Sequence, residues 1–187
     1  MSDVDVHDSD KQAEFDYLWG RRSAIQLRAL MSRYYYQERQ RIFETREGII
    51  RVIAILGGSV AFSKLFGADA KLLTLDIQQW CAALITASSA GSLVFGFGNK
   101  ARDSAKRSAE WALLERDVEL VGQRDFTEGD VNKWAARCNE IDASAPAMHP
   151  GLKEECYLRA CASLGSTPMG AAGLSWWHRV CPPIAIH

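Results

Sequence analysis

The chain has 187 residues, of which 48% are hydrophobic and 24% are charged, and its formal net charge is -1. A near-neutral total gives no reason to expect nucleic acid as a partner. The five cysteines are an odd number, and the acidic N-terminus lacks the basic and then apolar order of a signal peptide. These features do not fit a secreted disulfide framework, and we expect the chain to start in the cytoplasm.

The first 47 residues divide at about residue 12. Residues 1–11 are polar and acidic without a periodic apolar pattern, and we expect them to be mobile. Residues 12–47 contain no proline and repeat apolar side chains at helical spacing, which predicts an amphipathic cytoplasmic helix. The eight arginines between positions 21 and 51 fit either a solvated face with i,i+4 ion pairs or a face that rests on anionic lipid headgroups. Of the consecutive tyrosines 34, 35 and 36, we expect two in the core, because the three cannot all face one way on a helix.

Residues 48–67 form the first predicted transmembrane helix. Their uncharged run covers only Val52–Ser63, which is short for a bilayer. Arg51 and Lys64 flank this run, and their long side chains can reach the headgroups, which extends the usable span by about a turn at each end. Residues 68–76 then form a short outer loop.

Residues 77–99 form the stronger predicted span. They carry no formal charge and, at about 1.5 Å of rise per residue, are long enough to cross a hydrocarbon layer of roughly 30 Å. Small residues recur every four positions, a pattern used for close helix contact in lipid. Hairpin packing, subunit packing and the wall of a narrow pore all fit, and the hydroxyls favour a pore without requiring one. The residues assigned to helix packing or pore lining are Ala83, Ala87, Ser88, Gly91, Ser92 and Gly96.

The distribution of basic residues predicts the orientation of this hairpin. Eight arginines lie between positions 21 and 51, and four basic residues follow the second span between positions 100 and 107. The far end of the hairpin has only Lys64 and Lys71. By the positive-inside tendency, both termini of this predicted multi-pass membrane protein are cytoplasmic. The predicted interface anchors are Arg51, Lys64, Lys100 and Arg102.

Residues 100–122 are predicted to extend the second span into the cytoplasm as one continuous helix. Trp111, Leu114, Val118 and Val121 form an apolar stripe on it that needs a partner. The expected partner is the helix of residues 12–47, either in the same chain or in a neighbouring one, which makes this region a candidate for oligomerisation.

Residues 127–187 are predicted to form a small helical C-terminal region. Thr127 can cap a helix whose buried face runs from Val131 to Ile141, and a further helix is expected from Leu152 to Leu164. The tail ends in WWHRVCPPIAIH, for which lipid contact, closure of the helical bundle and partner binding stay open.

The sequence contains no catalytic motif, and we expect no enzymatic activity. Candidates for a soft metal site exist, but their spacings match no standard zinc module. We therefore predict buried or idle thiols, without a metal or a cofactor. The candidate residues are His149, Cys156, Cys161, His178 and Cys181.

The order of parts from Tyr17 to Gly122 resembles the SLATT family of bacterial two-transmembrane effector proteins. The features that carry the resemblance are the helix RALMSRYYYQERQRIFETREGIIR, the span VIAILGGSVAFSKLFG, the short loop, the second span and the helix NKARDSAKRSAEWALLERDVELVG. The resemblance implies a membrane effector of prokaryotic antiviral defence, which assembles and permeabilises the inner membrane when a sensor protein or a nucleotide signal is engaged. It supplies no catalytic residue and does not cover the chain after Phe126.

The predicted fold is therefore all-α, with a two-helix transmembrane hairpin, long cytoplasmic helices before and after it, and a small helical C-terminal region. The predicted function is an oligomeric membrane effector that forms or gates a pore, with the lipid bilayer and further copies of the chain as partners. Several copies are required because two helices cannot enclose a pore. The alternatives are a two-span anchor for a cytoplasmic partner protein and a soluble bundle in which both apolar stretches are core helices.

Overall fold

The computed structural model describes the backbone of residues 3–65 and 96–168, and the side chains of residues 9–55 and 96–168. Within these ranges the chain forms four α-helices and no strand, which confirms the all-α prediction. The helices are α1 (Asp3–Leu65), α2 (Phe97–Leu120), α3 (Glu128–Ala143) and α4 (Pro150–Ser163). The predicted outer loop, most of the second predicted span and the tail from residue 169 lie outside the described residues.

Helix α1 differs from the prediction at its start. It begins at Asp3, so the stretch expected to be mobile is helical from that residue onward. It then continues without interruption through residue 47 to Leu65. The predicted amphipathic helix and the first predicted span therefore share one helix, as the absence of proline from this part of the chain allows.

The chain divides into two compact units. Unit 1 comprises Met1–Gln37 and Lys106–His187, and unit 2 comprises Glu38–Ala105. The main apolar core belongs to unit 1 and takes residues from all four helices. The core residues are Ile25, Ala29, Tyr35, Tyr36, Trp111, Leu114, Val118, Phe126, Val131, Trp134, Cys138, Ile141 and Cys156.

The apolar stripe of α2 is buried within the same chain. Trp111 and Val118 are fully buried in one core with Tyr35 and Tyr36 of α1. Of the two partners expected for the stripe, the structure therefore shows the first helix of the same chain. Tyr34 is only half-buried, so two of the three consecutive tyrosines pack in the core as predicted.

Arg22 joins α1 to the end of α2. Its side chain is buried and donates hydrogen bonds to the carbonyl oxygens of Val118, Val121 and Gly122, at 2.9, 2.8 and 3.2 Å. Carbonyl groups at the C-terminus of a helix have no N–H donor within the helix and must accept hydrogen bonds from elsewhere. A cation placed here also interacts favourably with the negative end of the helix dipole. Arg22 therefore acts as a cap that comes from another helix.

Aromatic rings surround the same guanidinium. Its Cζ atom lies 5.0 Å from the ring centroid of Phe126, 5.5 Å from that of Trp19 and 6.0 Å from that of Trp134. Phe15 is next to Phe126, with ring centroids 5.7 Å apart. The faces of aromatic rings attract cations, so these contacts offset part of the loss of hydration that burial imposes on the charge.

Polar contacts fix the connection between α3 and α4 to the first two helices. Arg107 of α2 donates to the hydroxyl of Ser144 at 3.0 Å and also to its carbonyl oxygen. The backbone N–H of His149 donates to the hydroxyl of Tyr35 at 2.8 Å. Each end of the connection is therefore held by a side chain from another helix.

Thr127 caps α3 as predicted. Its hydroxyl accepts a hydrogen bond from the backbone N–H of Asp130 at 3.3 Å, and the Asp130 carboxylate accepts one from the backbone N–H of Thr127 at 2.9 Å. This reciprocal pair is a capping box. The hydrogen bonds from Thr127 lower the pKa of Asp130.

Helix α4 begins at Pro150 rather than at Leu152, where the sequence pattern places its start. Proline suits the first position of a helix, because its missing N–H has no partner there in any case. The N-cap is His149, whose Nδ1 accepts from the backbone N–H of Leu152 at 3.5 Å.

We expect Arg22→Lys to loosen the end of α2. A lysine ammonium lacks the planar fork that reaches several carbonyls while stacking on aromatic rings. The expected loss is about 2 kcal/mol, which is roughly thirtyfold faster amide hydrogen exchange at residues 115–122 of the full chain. The matched control is Arg21→Lys, because Arg21 is more exposed and, among the described residues, its guanidinium has no hydrogen bond or ion pair and lies 5.9 Å from the ring centroid of Tyr17. Equal effects of the two substitutions would contradict the capping role of Arg22.

The lowered pKa of Asp130 makes the start of α3 sensitive to acid. The folded pKa lies below the ordinary value of about 3.9, so the stabilisation is present above that pH and is lost as the pH falls through the folded pKa. The hydrogen-exchange protection factors of residues 128–131 should therefore fall in a step below about pH 4. Asp130→Asn removes the titrating group and should show no such step; a step of the same size in this variant would assign the effect to another group.

Candidate membrane interface

The part of α1 around the start of the first predicted span lies beside the start of α2. In unit 2 the ring centroids of Phe43 and Phe97 are 6.2 Å apart. A Cβ atom placed on Gly98 would lie 3.0 Å from Oε2 of Glu47, so the backbone of α2 closely approaches this carboxylate. Residues 41–51 and 96–102, which these contacts bring together, are called the neck below.

Beyond the neck, α1 continues to Leu65. The helical residues between Glu47 and Leu65 correspond to a rise of about 27 Å. At Gly98, near the start of α2, the chain again lies beside Glu47. The chain therefore leaves the neck along a helix and returns to the same level, which is the connectivity expected of a hairpin.

An exposed apolar surface begins on α1 at the neck. Ile49, Val52, Ile53 and Ile55 are exposed, with 55%, 54%, 39% and 66% of their surface accessible. At 3.6 residues per turn these positions cover about 160° of the helix circumference, which is wider than the stripe of roughly 100° that usually packs on a protein core. A continuous exposed apolar surface is typical of contact with a membrane or with another protein.

Glu47 has two electrostatic partners at the neck. Its carboxylate forms an ion pair with Arg51, one turn further along α1. It also lies against the first turn of α2, which has no acidic residue of its own. Negative charge is stabilising at a helix N-terminus, so Glu47 supplies to α2 a charge that its own sequence lacks.

Gly96 interrupts the helix that the sequence predicts from the second span to residue 122. Its φ is +54°, and α2 begins only at the following residue, Phe97, and ends at Leu120. A residue with a Cβ atom is strained in this left-handed region, whereas glycine is not. The predicted helix is therefore not continuous at Gly96, whereas the assignment of Gly96 to helix packing or pore lining stays a prediction.

The remaining predicted site residues fall into two groups. Those outside the described side chains are Ala83, Ala87, Ser88, Gly91, Ser92 and Lys64. The other three predicted interface anchors lie at the neck, where Arg51 and Arg102 are exposed and Lys100 is half-buried.

In the part of the chain that the structure describes, no helix has both the length and the apolar character needed to cross a bilayer. The described side chains include the first predicted span only as far as Ile55 and the second only from Gly96. The membrane part of the predicted fold stays a prediction.

Several arginines that the sequence pattern places on one face have tertiary roles in unit 1. Besides Arg22, Arg28 pairs with Asp142, and Arg33 pairs with Glu115 at 2.7 Å. The hydrogen bond to Glu115 raises the pKa of Arg33. Neither of the two alternatives drawn from the sequence describes these three arginines. An i,i+4 ion pair of the kind predicted for a solvated face is present at the neck, where Arg51 pairs with Glu47.

The thiols of Cys138, Cys156 and Cys161 are buried. Loss of hydration on burial raises the pKa of Cys138, which disfavours its reactive thiolate form. Among the described residues, no group of three or more His, Cys, Asp or Glu side chains is placed to hold a metal ion. The other candidates for a metal site, His178 and Cys181, lie outside the described residues.

Comparison of the chain with models of known protein families, with curated proteins and with solved structures finds no match. The resemblance to the SLATT family therefore depends on the sequence features alone.

We expect Gly96→Ala to destabilise the start of α2 by about 1 kcal/mol, because alanine is strained at a positive φ. Hydrogen exchange at residues 99–102 should become roughly fivefold faster. Gly48→Ala is the control, since Gly48 lies inside α1 and a Cβ atom there would meet nothing within 4 Å. Alanine is the better helix former, so exchange around Gly48 should slow. Slower exchange in both variants would contradict the left-handed conformation of Gly96.

Proposed function

We propose that the chain is an oligomeric membrane protein whose hairpin, residues 48–99, forms or gates a pore in the bacterial inner membrane. The observation that carries the proposal is the neck together with the exposed apolar surface that begins there on α1. From the neck, α1 continues for a rise of about 27 Å, close to the roughly 30 Å of a hydrocarbon layer, and α2 starts again at the same level. A helical hairpin suits a bilayer because helices satisfy their backbone hydrogen bonds internally.

The sequence beyond the neck supports the same proposal. Residues 77–99 carry no formal charge, and small and hydroxyl side chains recur along them. Such a helix can pack closely against copies of itself and present hydroxyls to a narrow aqueous path. Because two helices cannot enclose a pore, the proposal includes assembly of several copies.

Unit 1 would form the cytoplasmic part in this arrangement. The neck carries basic residues on both of its segments, which favours a cytoplasmic location for the ends of the hairpin. The resemblance to SLATT proteins adds the proposed biological role, the killing arm of an antiviral defence system that responds to a sensor protein or a nucleotide signal. No catalytic or cofactor-dependent step is part of this proposal.

Reconstitution into liposomes tests the proposal. The full chain should float with the vesicles and release an entrapped dye, and the release should rise more steeply than linearly with the protein-to-lipid ratio because several copies must meet. Ile55→Lys places a charge on the exposed apolar surface and should lower membrane partitioning on the order of 100-fold and abolish release. The matched control is Leu120→Lys, since Leu120 of unit 1 is 73% exposed and should tolerate a charge.

Two other outcomes would contradict the proposal in different ways. Protein that floats as a monomer and releases no dye would overturn the pore and favour the two-span anchor. Protein that stays in the soluble fraction, with Ile55→Lys and Leu120→Lys behaving alike, would overturn membrane insertion and favour the soluble bundle.

A further inference from the structure

Four arginines of unit 1 and four basic residues of the neck differ in how their side chains are paired. In unit 1, the guanidinium groups of Arg22, Arg28, Arg33 and Arg107 each bind a carbonyl, a carboxylate or a hydroxyl group. At the neck, four side chains form no ion pair or hydrogen bond with another described residue. These are the side chains of Arg41, Arg46, Lys100 and Arg102.

The neck also has a local excess of positive charge. It contains five basic residues and two acidic ones, although the whole chain has a formal net charge of -1. Both carboxylates are already engaged, since Glu44 accepts from Gln40 at 2.7 Å and Glu47 pairs with Arg51. The excess is therefore a property of the neck, and its neutralisation requires an anion from outside the described chain.

The cations of the neck form a narrow band. Arg41 and Arg51 are separated by about 15 Å of helical rise, and Lys100 and Arg102 follow Gly98 within about 6 Å. The contact between Gly98 and Glu47 brings the two segments side by side. Exposed apolar side chains begin within this band, at Ile49. Lysine and arginine can extend their charged ends from such a position while their stems cover apolar surface.

We infer that the neck binds the headgroups of anionic lipids, so that an anionic bilayer surface is the partner of this band. The inference rests on the proposed membrane insertion and deepens it by naming the lipid class. Guanidinium and ammonium groups donate charge-assisted hydrogen bonds to phosphate oxygens, and a juxtamembrane group of basic residues is attracted to a negative surface. The exposed apolar surface that begins at Ile49 favours a lipid headgroup over a free phosphate, because only a bilayer places an apolar layer next to the bound anion.

The test compares two full-chain variants that remove the same number of charges. The neck variant carries Arg41→Gln, Arg46→Gln, Lys100→Gln and Arg102→Gln. The control variant carries Arg116→Gln, Lys133→Gln, Arg137→Gln and Lys153→Gln, which replace exposed residues of unit 1. Flotation is measured with vesicles of phosphatidylcholine alone and of phosphatidylcholine mixed with phosphatidylglycerol, and circular dichroism checks that both variants keep their helical content.

We expect the unmodified chain to bind the anionic vesicles more tightly than the neutral ones. Each neck charge removed should lower partitioning into the anionic vesicles by about fivefold, and the neck variant should lose most of the preference. The control variant should keep the preference for anionic vesicles. Raised salt should weaken this preference in the unmodified chain and in the control variant. Inorganic phosphate at constant ionic strength should compete little.

Each contrary result has its own meaning. Equal losses in the two variants would reduce the effect to net charge and overturn the inference. Strong competition by inorganic phosphate would overturn it in favour of a free-phosphate site. An unmodified chain that inserts and releases dye equally well in both kinds of vesicle would overturn the lipid preference while leaving the proposed membrane function intact. A chain that floats with neither would overturn both.

Discussion

The hydrogen bonds from Arg22 to the end of α2 are the constraint on which unit 1 depends. The last carbonyl groups of a helix cannot be buried without hydrogen-bond donors. The Arg22 side chain of α1 donates three hydrogen bonds to the carbonyl oxygens at the end of α2. Because Phe126 and Trp134 pack on the same guanidinium, the connection after α2 and the start of α3 are fixed at that point as well. The cost of burying a charge is offset there by carbonyl oxygens and aromatic faces, and one residue thereby orders three helices.

The parts of the fold that depend on local signals could be predicted from the sequence. The spacing of Trp111 and Val118 indicates a buried stripe on α2, and Thr127 followed by an acidic residue at the third helical position is a signal for a capped start. Gly96 shows the limit of such patterns. A glycine in an uncharged, small-residue helix and a glycine at positive φ before a helix have the same sequence appearance, and only the backbone conformation separates them.

The site could be predicted only in part, for a related reason. The sequence predicts Arg51, Lys100 and Arg102 as interface anchors because the change from charged to apolar sequence is visible along the chain. The role of Arg22 was not predictable, because its acceptors are backbone carbonyls about a hundred positions away and carbonyls carry no residue-type signal. The approach of Glu47 to Gly98 differs in this respect, because it joins the two ends of the predicted hairpin, which the sequence prediction already places on the same side.

The division of the arginines follows from where each lies on α1. Arg22 is buried and therefore requires acceptors, which the end of α2 provides, and the half-buried Arg33 pairs with Glu115 of α2. Arg41 is exposed and Arg46 is half-buried, and neither has such a partner within the described chain. Some exposed arginines elsewhere pair with a nearby acid, as Arg137 does with Glu140. At the neck, Glu44 and Glu47 are engaged elsewhere, so the unneutralised cations lie where an apolar surface begins, the order of charges expected at an anionic membrane surface.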